Sequence, residues 1–128
     1  MDLGLEGKNC MAVGPELSDW EASLEVDLMA GVHAAEQVIP WMTEAGGGSI
    51  LFVSSTSGIE ADPMPDYGYT AAKAALIAHA KKLAVMHAPQ GVRANAIAPG
   101  SIEFPGAIWA MMKEQQPEMY GAAPNGPA

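Results

Sequence analysis

Apolar positions set out three segments. In "LSDWEASLEVDLMAGVHAAEQVIPWMTEAGGG", Leu24, Met29, Val32, Ala35 and Val38 recur near helical spacing. The spacing predicts a helix over about 19–43, bent or ended near Pro40. Ser18 stands where an N-cap belongs, with Glu21 three residues on as its capping-box partner. Gly46, Gly47 and Gly48 then break the chain. "SILFVSS" (49–55) is a continuous apolar run closed by hydroxyl residues. That pattern predicts a strand buried on both faces, as in a parallel sheet.

After the loop "TSGIEADPMPD", the stretch from Tyr69 to Ala88 has no breaker and holds eight alanines. It predicts a helix over 67–88, ending before Pro89 and Gly91. So few charges on it imply burial on two sides, against a sheet and against another helix. "VRANAIAPG" (92–100) predicts a second strand closed by a Pro-Gly turn. Strand, helix and strand in this order make a βαβ unit, expected to be parallel and right-handed. Before these lies one short apolar stretch, "NCMAVG", among glycines. After them, one short helix is expected near 106–115, and "GAAPNGPA" has no core-forming residues.

Composition narrows the function classes. A length of 128 residues fits one domain. Six basic residues against fifteen acidic ones give a formal charge of −9. Nucleic acid and anionic membrane surfaces are therefore disfavoured partners. Cys10 is the sole cysteine, which excludes an internal disulfide. No apolar run reaches the roughly 18 residues of a membrane span. The opening "MDLGLEGK" lacks a signal-peptide pattern, so a cytoplasmic location is expected. His33, His79 and His87 share no metal-like spacing, and no metal site is expected.

The chemistry concentrates in "YTAAK", residues 69–73. On a helix, Tyr69 and Lys73 share one face. A free tyrosine ionises near pH ~10, and a neighbouring ammonium favours the phenolate. Such a phenol can exchange a proton with an alcohol or carbonyl oxygen. Ser55 closes the strand before this helix, at the edge where open α/β sheets hold ligands. Its hydroxyl can hydrogen-bond a substrate oxygen there. The turn Pro99–Gly100 ends the next strand on the same edge.

This ordered set resembles the short-chain dehydrogenase/reductase family. "VSSTSG" is similar to the family's strand bearing the catalytic serine, and "YTAAK" to its Tyr-x-x-x-Lys signature. "VRANAIAPG" resembles the strand that follows, and "DWEASLEVDLMAGVHAAEQVIPWM" the long helix that precedes. The resemblance implies an α/β fold: a partial doubly wound, Rossmann-like parallel sheet with flanking helices. It implies Tyr69 as general acid/base, Ser55 as the group orienting the substrate oxygen, and Lys73 on Tyr69 and the nicotinamide ribose. Pro99, Gly100 and Ile102 would approach the nicotinamide, and Asn95 would be structural. The implied reaction is hydride transfer between NAD or NADP and a secondary alcohol or carbonyl.

The sequence departs from the family at three places. Asp27 stands where the family has an asparagine in its proton relay. Phe104 stands where a hydroxyl residue usually follows the Pro-Gly turn. No Gly-rich dinucleotide turn leads from a strand into a helix, and "GGGS" at 46–49 precedes a strand instead. The expected layout is a remnant of the first strand region at 1–17, a catalytic half at 18–120 and a disordered tail at 121–128. The apolar residues Phe104, Ile108, Trp109, Met111 and Met112 suggest an apolar substrate. By the resemblance, a homodimer or homotetramer would form through helices 19–43 and 67–88. The alternative function is a non-catalytic fragment that self-associates or pairs with a full-length relative.

Overall fold

The computed structural model describes residues 17–62, 64–102, 104–106 and 108–122. All but the last residue of the expected first-strand remnant at 1–17 lies outside them, as does most of the expected tail.

One continuous helical rod spans residues 17–44, in three parts. These are helix α1 (Leu17–Ser23), a π-helical turn (Leu24–Met29) and helix α2 (Ala30–Glu44). Two expectations change here. Ser18 lies inside the first turn of α1 instead of capping it, and Pro40 sits within α2 without ending it. The π turn shows in the Ala30 N–H, which donates to the Glu25 carbonyl five residues back. Strand β1 (Gly48–Val53) follows, then a 3₁₀ turn (Thr56–Gly58) and helix α3 (Tyr67–His87). A second 3₁₀ turn (Ala88–Gln90) ends at Gly91. Gly91 has φ +74°, a left-handed conformation that favours glycine. Strand β2 (Val92–Ile97) then pairs parallel with β1, from Gly48 beside Val92 to Val53 beside Ile97. Helices α4 (Ile108–Gln115) and α5 (Pro117–Ala122) close the described chain. Helix α5 runs into the stretch expected to be a disordered tail.

Alternation along the strands decides which face is covered. Ile50 and Phe52 on β1, with Val92, Ala94 and Ala96 on β2, turn toward the helices. The core is Ala35, Phe52, Leu76, Ala80 and Ala94, flanked by Leu28, Ile39, Ile50 and Leu83. Helices α2 and α3 lie on this one face and approach closely at Gly31. A Cβ there would meet Leu76 Cδ1 at 3.2 Å and Phe52 Cε1 at 3.3 Å. Among the described residues nothing covers the opposite face: Leu51 is 57% and Val53 56% exposed. The expectation of a strand buried on both faces therefore fails. An apolar run states a preference for burial on both faces; it does not supply the second layer. The expectation for α3 holds, since Gly68, Ala72, Leu76 and Ala80 are buried at i, i+4 spacing against the sheet and the rod.

Candidate active site

The site is built at the carboxyl end of β1. Ser54, the first residue after the strand, is buried. Its N–H donates to the Ile97 carbonyl at 2.7 Å, which extends the pairing with β2. Its hydroxyl donates to the Lys73 carbonyl at 2.8 Å and ties the strand end to α3. Ser55 is next, in extended conformation (φ −152°, ψ 155°). Its Oγ accepts from the Ser57 N–H at 3.2 Å and so caps the 3₁₀ turn. That turn lies flat on α3, because Gly58 has no side chain. A Cβ at Gly58 would stand 2.8 Å from both the Ala74 nitrogen and the Lys73 carbonyl carbon.

Lys73 is the hub. Its Nζ donates to the Val53 carbonyl at 3.2 Å and pairs with Asp27 Oδ1, also at 3.2 Å. It stands 5.3 Å from the centre of the Tyr69 ring, one turn earlier on α3. The Lys73 side chain is 13% exposed and that of Asp27 24%. The pair is therefore shielded from bulk water enough to keep its geometry, yet open on one side. Asp27 reaches it from the π turn. Gly31, one turn later, lets α2 close on Phe52 and Leu76. Among the described residues, two partners engage the ammonium, the Asp27 carboxylate and the Val53 carbonyl.

Tyr69 is half-buried in the first turn of α3. A recess of about 240 Å³ beside it is lined by Asp19, Ser23, Pro65, Asp66, Gly68 and Tyr69. The turn after β2 arrives on the same edge. The Thr56 N–H donates to the Pro99 carbonyl at 3.0 Å, and Gly100 lies against the Thr56 side chain. Ile102 follows, largely exposed. The structure thus brings Asp27, Tyr69 and Lys73 together directly, and Ser55 and Pro99–Gly100 to the same edge through Thr56. It does not bring the apolar cluster there by any described contact. Trp109 packs edge-to-face on Tyr120, 6.4 Å between centroids, within the α4–α5 pair, and Phe104 and Met111 are exposed.

Sequence reasoning missed three contributors: Ser54, the Val53 carbonyl and the π turn. Two adjacent serines after a strand gave a signal for the first. Nothing local marks the other two. Among the described residues no group of three His, Cys, Asp or Glu side chains could hold a metal ion. His33 pairs with Glu36 on the surface at 3.6 Å. His79 packs edge-to-face on Phe52 with Nε2 buried and unpartnered.

Comparison with known proteins agrees with this fold. The family described as enoyl-(acyl carrier protein) reductase matches residues 5–126. Isoepoxydon dehydrogenase patN of Penicillium expansum is 30% identical over 118 residues, covering 92% of this chain and 46% of that protein. Dehydrogenase/reductase SDR family member 4 of Sus scrofa is 40% identical over 93 residues, 70% of this chain and 33% of that protein. Among solved structures, gox2181 superposes with a TM-score of 0.76 at 28% identity, over 84% of this chain and 41% of that one. A gluconate 5-dehydrogenase from Burkholderia cenocepacia, in complex with NADP and tartrate, gives 0.67 at 31% identity, over 70% and 35%.

The described residues form a parallel α/β unit with a tyrosine and a lysine on one helix, at the carboxyl edge of the sheet. The chain belongs to the short-chain dehydrogenase/reductase family. It spans less than half the length of these relatives. No helix among the described residues is long and apolar enough to cross a membrane.

Proposed function

We propose that this chain carries the catalytic half of a short-chain oxidoreductase, acting on a secondary alcohol or carbonyl with NAD or NADP. One observation carries the reading. The Lys73 ammonium is held between Asp27 and the Val53 carbonyl, beside the Tyr69 ring. Tyr69 moves the proton at the substrate oxygen, Ser55 holds that oxygen through its hydroxyl hydrogen, and Lys73 supplies fixed positive charge beside them.

The nicotinamide cofactor supplies or accepts the hydride when bound. Lys73, Tyr69 and the Pro99, Gly100 and Ile102 backbone suit its ribose and ring. The described residues contain no Gly-rich turn entering a helix, so its pyrophosphate has no cradle among them. That absence favours a second reading, a non-catalytic unit that pairs with itself or with a full-length relative.

Titration followed by nicotinamide fluorescence separates the two. Saturable binding supports the oxidoreductase, and no saturation at millimolar cofactor supports the second reading. Where binding occurs, Lys73→Ala is expected to weaken both affinity and turnover, since one ammonium serves both. Loss of only one would break the assignment.

The substrate is proposed to be apolar, on the composition of Phe104, Ile108, Trp109, Met111 and Met112. A series of ketones would then gain specificity with chain length, by about 0.8 kcal/mol per buried CH₂. A preference for small sugars or hydroxy acids would defeat that reading. Assembly is proposed through the helices at 19–43 and 67–88, the second of which exposes Ala78, Val85 and Met86. Light scattering should show a dimer or larger species that Ala78→Glu disrupts. A monomer, or an assembly indifferent to Ala78→Glu, would refute it.

A further inference from the structure

Lys73 is held at both of its ends by two consecutive residues. The Val53 carbonyl accepts from its ammonium at 3.2 Å, and the Ser54 hydroxyl donates to its main-chain carbonyl at 2.8 Å. A lysine side chain is long and flexible, and fixing both ends removes most of that freedom. The same part of α3 is gripped a second time. Gly58 sits so close to the Lys73–Ala74 peptide that a Cβ there would stand 2.8 Å from the Ala74 nitrogen and 3.1 Å from the Lys73 oxygen. The strand end and the 3₁₀ turn therefore close on one peptide unit, the one that follows Lys73.

The rest of the α3 seat gives no such stop. Its buried residues are Gly68, Ala72, Leu76 and Ala80. Three of these four have no side chain beyond a methyl group, and apolar contact has no preferred direction. Such a surface holds the helix down on the sheet. It does not fix where the helix comes to rest along the strand. A hydrogen bond does, because it weakens steeply away from its best length and angle. Ser54 is only 4% exposed, so water does not compete for its hydroxyl. Its N–H donates to the Ile97 carbonyl at 2.7 Å, so it is itself fixed to β2.

We infer that Ser54 is the positioning residue of this site. Its buried hydroxyl sets where α3 stops against the strand end, and with that the placement of Tyr69 and Lys73 relative to Ser55. Ser55 is joined to Ser54 by one peptide bond, and Tyr69 lies one turn before Lys73 on the same helix. The Ser54–Lys73 bond is thus the short link between the two halves of the site. Ser54 acts through Lys73, since its hydroxyl hydrogen is already engaged by the Lys73 carbonyl. The inference rests on the roles proposed above for Tyr69 and Lys73, but the hold on Lys73 can be read without turnover.

Amine labelling of the full chain with acetic anhydride, followed by mass spectrometry, reads that hold. Lys73 should react more slowly than Lys81 and Lys82, which are exposed on the same helix. Ser54→Ala and Ser54→Cys should each speed Lys73 labelling by about three- to tenfold relative to Lys81 and Lys82, the range that loss of one hydrogen bond of ordinary strength allows. Cysteine nearly keeps the volume of serine and gives up the strong donor, so the two variants separate the hydroxyl from the packing. Unchanged Lys73 labelling in Ser54→Ala would overturn the inference. So would a Ser54→Cys variant that labels like the parent chain, since filled space alone would then hold Lys73. An equal rise at all three lysines would also overturn it, because Ser54 would then support the fold as a whole.

Turnover gives a second reading. Both variants should lose about ten- to a hundredfold in kcat, the cost of a displacement of about 1 Å at a reacting site, with substrate KM nearly unchanged. Full kcat in a variant whose Lys73 labels fast would refute the positioning role. A parent chain without turnover would count against the proposed activity alone, and the labelling would still decide whether Ser54 holds Lys73.

Discussion

Gly58→Ala is expected to lower stability by about 1–3 kcal/mol, the range for forcing extra atoms into a packed contact. The new Cβ would meet the Ala74 nitrogen and the Lys73 carbonyl carbon, each at 2.8 Å. These are backbone atoms of α3 and cannot rotate away. The 3₁₀ turn must lift off the helix, and Ser55, whose Oγ caps that turn, must move with it. Thermal melts of the variant beside Gly121→Ala would check this. A Cβ at Gly121 meets nothing within 4 Å, so that exposed helical position should be neutral or stabilised. Equal melting temperatures for Gly58→Ala and the parent chain would show that the turn is not seated on α3.

Tyr69→Phe is expected to reduce turnover by about 10²- to 10⁴-fold, the usual worth of a positioned proton donor. Cofactor affinity should stay nearly unchanged. The phenyl ring keeps its place beside the Lys73 ammonium, 5.3 Å from ring centre to Nζ, and loses only the hydroxyl. Measuring kcat and cofactor Kd on the same preparation separates the proton step from binding. A variant that keeps most of its turnover would remove Tyr69 from the reaction. A variant that loses cofactor as well would make the hydroxyl a binding group instead.

Much of the site was legible along the chain because its parts are local. Tyr69 and Lys73 are four residues apart on an unbroken helix, and that spacing alone sets them on one face. Ser55 follows a short apolar run that fits a strand, so its place at the carboxyl edge followed from topology. The β1–α3–β2 unit was readable for the same reason: each element is closed by glycine, proline or hydroxyl residues.

Other features depended on contacts that no local pattern encodes. Asp27 lies 46 positions before Lys73. Their ion pair forms where the π turn, which carries Asp27, packs beside α3. The division of labour between Ser54 and Ser55 was settled by alternation at the strand end. Ser54 turns inward to hold the Lys73 carbonyl, while Ser55 turns toward the loop. Which face of the sheet the described helices cover was also decided in three dimensions. Hydrophobicity at Leu51 and Val53 states a preference for burial, but only neighbouring layers can satisfy it. Both described helices that pack on the sheet take its other side. Helix, strand and the tyrosine–lysine spacing were thus set by periodicity, a property of neighbouring residues. The ion pair, the seated turn and the sheet face left uncovered by the described helices were set by which segments meet, since each arises from groups far apart in the chain.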